Sequence, residues 1–207
     1  MADVTDFYFY EPSKGHGLPH DPFKAIAAPR PIGWISTVDR QGVVNLAPYS
    51  FYNALGDNPP IVGFSSGGRK DSLDNIEATG EFVVNVATKA LAQAMNQTSA
   101  AFPSDVDELA MAGLTPAPSR TVVAPRVAES PAAFECKLLQ IVHLHDIDGK
   151  PLNQYLVLGQ VVGVHIANAY LKDGLFDLAA AQPIMRAGYQ ADYVEISNVF
   201  QMPRPKL

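Results

Sequence analysis

The chain has 207 residues, 47% hydrophobic and 17% charged, a balance that supports a sizeable core and excludes a disordered polymer. A net charge of −6 with no long basic tract excludes nucleic acid as an expected partner. No apolar run nears the roughly 18–20 residues a membrane helix needs, and the one cysteine, Cys136, forbids an internal disulfide.

The start, MADVTDFYFYEP, resembles neither a secretory signal nor a transit peptide, so a cytoplasmic protein is expected. Residues 1–22 read as an irregular, aromatic N-terminal arm on a single domain that spans 1–207. From Pro31 the runs IGWISTV, VVNLAPYSFYNAL and PIVGFSS are rich in β-branched and aromatic residues. Turn signals at Asp39–Gly42 and Gly56–Pro60 separate them, the spacing of an antiparallel sheet or barrel. DSLDNIEAT predicts a short helix, with Asp71 or Ser72 as its cap and Gly80 as its stop. EFVVNVA predicts a buried strand, and 88–113 a helix in two pieces that ends at Gly113. A proline-spaced, extended connection follows. FECKLLQIVHLHDI and QYLVLGQVVGVHIA then form the longest strand pair, joined around Asp148–Lys150. Strands and helices do not alternate as a parallel sheet requires, so the fold class is mainly β, an antiparallel barrel with a few peripheral short helices.

The segment from Gly63 to Ser72, GFSSGGRKDS, joins a strand to a helix start. Backbone N–H groups are unpaired there, and hydroxyls, glycines and two cations converge on them, as phosphate binding requires. Lys70 and Ser72 lead that reading, with Arg69 behind them. The G-x-x-x-x-G spacing mimics a P-loop, yet Arg69 and Asp71 break the Gly-Lys-Ser/Thr succession that a P-loop needs. In NLAPYSFYN, Pro48 marks either a bulge in a barrel strand or a sheet edge, beside which a flat heterocycle could be read by backbone groups and the Ser50 hydroxyl. In PRPIGWIST, prolines hold Arg30 extended and the strand ends in hydroxyls. His143 and His145 share a strand face that His165 could join, but no carboxylate motif accompanies them and no metal site is expected. Cys136, in an apolar strand, reads as an inert thiol.

Taken together, PRPIGWIST (29–37), NLAPYSFYN (45–53) and FSSGGRKDSLDNIEATGEFVVNV (64–86) resemble the flavin reductase-like family of the FMN-binding split barrel. That family includes flavoredoxins and the reductase components of two-component monooxygenases. ELAMAGLTP, LGQVVGVHI and PIMRAGYQADY match more weakly. The resemblance implies a six-stranded Greek-key barrel, a homodimer, FMN near the subunit interface, NADH or NADPH as electron donor, and a possible separate monooxygenase. It implies that Ser36, Ala47, Pro48, Tyr49, Ser50 and Phe51 line the flavin ring. It also implies that Ser65, Arg69, Lys70 and Ser72 hold the phosphate, that Arg186 contacts flavin from a neighbouring loop, and that His165 could lie near the nicotinamide. Hydride transfer is the cofactor's chemistry, so no catalytic side chain is expected.

Overall fold

The computed structural model describes residues 6–205, so the first five residues of the arm lie outside the described chain. The strand-forming runs build β1 (Gly33–Val38), β2 (Val44–Tyr49), β3 (Tyr52–Asp57), β4 (Pro60–Gly67), β5 (Glu81–Val86), β6 (Ala132–His145) and β7 (Pro151–Ile166). All pair antiparallel in one sheet of spatial order β2-β1-β5-β6-β7-β4-β3. The sheet has seven strands rather than six, because the run 43–55 breaks at Ser50 and Phe51 into β2 and β3. These two strands are the opposite edges of the sheet, yet only two residues join them. The sheet must therefore curl until its edges meet, and the barrel has its seam at Ser50–Phe51. The Phe51 carbonyl accepts the Ser65 N–H (2.8 Å), tying the seam to β4.

Strand alternation sorts the apolar residues onto two faces of the sheet, the outer one carrying a main cluster and a smaller one of Val38, Val83, Val122, Ala124 and Ala133. Ile35, Tyr49, Phe64, Phe82 and Val157 fill the barrel interior, where α1 (Asp71–Thr79) adds Leu73 and Ile76. Trp34 and Leu46 face the other way, under α2 (Ala92–Gln97) and α3 (Glu108–Met111), with Met95 and Leu109. Gly80 ends α1 in the left-handed region (φ +75°), its N–H on the Ile76 carbonyl at 2.8 Å. No helix among the described residues is long and apolar enough to cross a membrane.

The interior has no spare room at Gly159. A Cβ there would overlap the Phe82 ring and press on Cys136 Cβ at 3.3 Å. Gly159→Ala is expected to lower the unfolding free energy by about 1–3 kcal/mol through overpacking, read from the urea midpoint. An unchanged midpoint would mean that the Phe82 ring can yield.

The proline-spaced connection carries two short paired strands, Pro116–Ala117 and Arg126–Val127, and is clamped to the barrel by two carboxylates. Glu135 on β6 is fully buried and accepts the N–H groups of Arg120 (2.8 Å), Thr121 (2.6 Å) and Val122 (3.2 Å). It also accepts from the Thr121 hydroxyl and from His165 Nε2 on β7. Glu81 on β5 takes the Val123 N–H and pairs with Lys137 at 2.5 Å. Beside the barrel, Arg30–Pro31, Ile184–Arg186 and Tyr193–Glu195 form a small antiparallel sheet.

Candidate functional site

A cleft of about 470 Å³ opens where the seam meets the start of α1. Ala47, Pro48 and Tyr49 reach it from β2, Ser50 and Phe51 from the seam, and Ser65 from β4. Arg69, Lys70 and Ser72 reach it from the turn into α1. The strand edge and the phosphate-type turn, separate in the sequence, thus share one space. Gly68 makes the turn at φ +86°, and its N–H bonds the Asn153 carbonyl at 2.9 Å. Gln154 on β7 donates to the Ser65 hydroxyl at 2.6 Å.

Neither Asp71 nor Ser72 caps α1. The cap position falls on Lys70, and no side chain accepts a bond there. The Asp71 and Ser72 N–H groups have no acceptor among the described residues, which leaves the positive end of α1 facing the cleft. Ser72 instead accepts from the Asn45 side chain at 2.8 Å. Tyr49 Oη is buried among the hydroxyls of Ser72 and Ser66 without a well-formed hydrogen bond, and burial pushes its phenol up. Lys70 is exposed and, among the described residues, pairs with no carboxylate. Arg69 differs: its guanidinium is held by Asp74 (2.6 Å) and Glu77 on the outer side of α1.

Two features of the cleft escape the sequence reading. Glu108, at the start of α3, is buried and accepts the Leu46 N–H at 2.9 Å. Burial pushes its carboxyl up, with the charge of Asp71 adding to the effect. Thr98 lies on the cleft wall and takes the Trp34 indole N–H at 2.9 Å, joining wall to core. The only signal for Glu108 was its place at the head of ELAMAGLTP, a stretch that carried no role.

The sequence profile of the flavin reductase like domain matches residues 26–180. The chain belongs to the flavin reductase-like family. An uncharacterised protein of Halalkalibacterium halodurans is 36% identical over 184 residues, 86% of this chain and 87% of that one. Among solved structures, nitrilotriacetate monooxygenase component B from Bacillus cereus is 31% identical with a TM-score of 0.80, covering 87% of this chain and 90% of its own. The 2-nitrobenzoate 2-nitroreductase of Pseudomonas fluorescens is 27% identical with a TM-score of 0.78, covering 88% of each chain.

In this flavin reductase-like protein, two expected flavin contacts lie outside the cleft. Ser36 is fully buried and donates to the Pro125 carbonyl at 2.6 Å, because the strand order turns its hydroxyl toward the clamped connection. Arg186 lines an adjoining space and lies over the Tyr193 ring, 4.7 Å from its centroid. His165 is occupied by Glu135 rather than by the cleft. His143 bonds the Leu152 carbonyl at 2.6 Å and stacks on Tyr155, and no metal-binding group of three or more such ligands exists among the described residues. Cys136 is buried, which pushes its thiol far up and leaves it inert.

Proposed function

We propose that this flavoprotein of the flavin reductase-like family holds FMN in the cleft and uses NADH or NADPH to reduce it. The observation that carries the reading is the uncapped start of α1, with Lys70 and Ser72 beside it and the seam strand alongside. The free N–H of Asp71 at the start of α1 and the exposed Lys70 ammonium are donors that suit a phosphate.

When bound, FMN supplies the ring that accepts a hydride from a nicotinamide. The protein's part is placement. Pro48 and Phe51 offer flat apolar surface to a ring, the Ser50 hydroxyl and seam backbone groups read its polar rim, and α1 anchors the far end. Homodimerisation is part of the proposal. Val162, Val164 and Ile166 alternate along β7 and expose one apolar face, and Phe7, Tyr8 and Phe9 are exposed on the arm. The Bacillus cereus relative is by name one component of a monooxygenase, so a separate oxygenase is the corresponding partner here.

The purified protein is expected to carry or take up FMN, and its visible absorbance to bleach within seconds of adding NADH or NADPH without oxygen. Bound flavin that stays oxidised with both donors would reduce the role to a carrier or holder of FMN. Absence of flavin after FMN is added would overturn the reading altogether.

A further inference from the structure

Arg30 and Arg186 stand directly opposite each other on paired strands of the small sheet. Like charges so placed repel. Arg30 is only 8% exposed, and its Nε–H is buried without an acceptor. Its other donors reach the carbonyls of Lys24 and Ala187, the latter at 3.2 Å. Arg186 gives one hydrogen bond, to the Gln190 carbonyl at 3.1 Å. Among the described residues no carboxylate pairs with either guanidinium. The nearby acids are engaged elsewhere, Glu195 by Lys89 (2.7 Å) and Asp192 by the Tyr189 N–H (3.3 Å). Burial, and then the charge of Arg186, pull Arg30 down from its ordinary range. Two cations are thus held together where the protein supplies no counter-ion, an arrangement that is costly unless an anion completes it.

The place adjoins the flavin cleft. A space of about 290 Å³ beside Arg186 and Tyr193 shares Pro48, Ser50 and Ser99 with the cleft. It runs on into a further space of about 530 Å³ between α2 and the small sheet. The Arg30 guanidinium sits 5.8 Å from the ring of Phe51, a cleft residue.

We propose that the Arg30–Arg186 pair is an anion site for the flavin's reaction partner, taking an oxyanion group of a molecule that also carries a planar ring. The proposal rests on the flavin reading and assigns Arg186 to the second substrate rather than to the flavin. The Arg186 fork meets the oxyanion, Tyr193 offers a face to the ring, and Arg30 strengthens the field from behind. The oxyanion is either a phosphate of the dinucleotide donor or the carboxylate of an aromatic acceptor.

The test compares FMN-loaded wild type with Arg186→Gln and Arg186→Lys. Arg186→Gln is expected to keep its flavin spectrum and an FMN Kd within about threefold of wild type. Its KM for NADH or NADPH should rise roughly tenfold or more with kcat held within about threefold, and Arg186→Lys should recover part of the loss. Pyrophosphate competing with the donor in wild type but not in Arg186→Gln identifies the phosphate source. An unchanged donor KM, with benzoate competing against 2-nitrobenzoate as acceptor in wild type alone, identifies the carboxylate source. Loss of flavin with donor and acceptor kinetics unmoved, or no inhibition of wild type by either anion, overturns the site. Should the wild type hold no flavin, the functional reading fails while the anion site is still tested by melting. Pyrophosphate or benzoate should then raise the melting temperature of wild type more than that of Arg186→Gln, and equal shifts overturn the proposal.

Discussion

Replacing Glu135 with alanine is expected to lower the unfolding free energy by about 3–5 kcal/mol, since it removes the shared acceptor of a buried network. Three backbone N–H groups, a hydroxyl and a histidine converge on this carboxylate, and all lose their acceptor at once. Glu135→Gln keeps the shape but turns an acceptor into a donor, so it should fall between wild type and alanine. Burial alone would raise this carboxyl. The bonds from Thr121 and His165, and from the Arg120 and Thr121 N–H groups, outweigh it and hold the group at about 2. A folded-state value below the ordinary 4.5 means the contribution is whole above about pH 4.5 and drains as pH falls toward 2. The full difference corresponds to stability on the order of 3 kcal/mol. Urea unfolding at pH 7 and pH 3 measures it: wild type should lose stability between the two pH values, and Glu135→Ala should lose much less. Parallel losses in the two proteins would show that Glu135 is not the titrating group.

Replacing both Arg69 and Lys70 with alanine should weaken FMN binding roughly a hundredfold or more, while the melting temperature of the flavin-free protein stays near that of wild type. The two residues are not equal. Lys70, at the open end of α1, pairs with no carboxylate among the described residues, whereas Arg69 is already held by Asp74 and Glu77. Lys70→Ala alone should therefore produce most of the loss, and Arg69→Ala alone little. Fluorescence titration with FMN separates the variants. Equal losses would mean that Arg69 leaves its carboxylates when the ligand arrives, and full flavin occupancy of the double variant after dialysis would remove phosphate binding from this turn.

Much of the fold is legible because local pattern and long-range pairing agree. The period-two alternation of 33–38 separates Trp34 from Ile35 before any pairing is known, and Gly80 marks the end of α1 by its need for a left-handed backbone. The long hairpin of β6 and β7 is equally plain in its apolar runs and its Asp-Gly turn. The break at Ser50–Phe51 is not. The run from Val43 to Leu55 reads as one strand interrupted at Pro48 rather than at Ser50, and only the other five strands, which push β2 and β3 to opposite edges, decide that the chain turns at Ser50–Phe51. Within the cleft, the turn from Arg69 to Ser72 was visible through residue type and helix chemistry, whereas the run from Ala47 to Phe51 was reached only through the family resemblance. Ser36 does not line the cleft, and the sequence could not show this, because a hydroxyl at a strand end looks alike whether it borders an open space or, as here, meets the carbonyl of a residue far along the chain. Glu108 and Glu135 were hidden for a related reason. Whether a glutamate is buried depends on donors from other segments, Leu46 for one and residues 120–122 for the other, and nothing in its own neighbourhood announces them.

The two-residue seam has a thermodynamic corollary. Ser50 and Phe51 both fasten the margins of the sheet and border the cleft, so a molecule lodged there leans on the fastening itself. Occupancy and integrity of the barrel then become linked quantities. A ligand present at a hundred times its dissociation constant adds about 2.7 kcal/mol to the closed form. Conversely, a change that slackens the fastening weakens apparent affinity in proportion to the fraction of molecules it leaves open. Selection on binding and selection on folding therefore act at this seam on the same two residues.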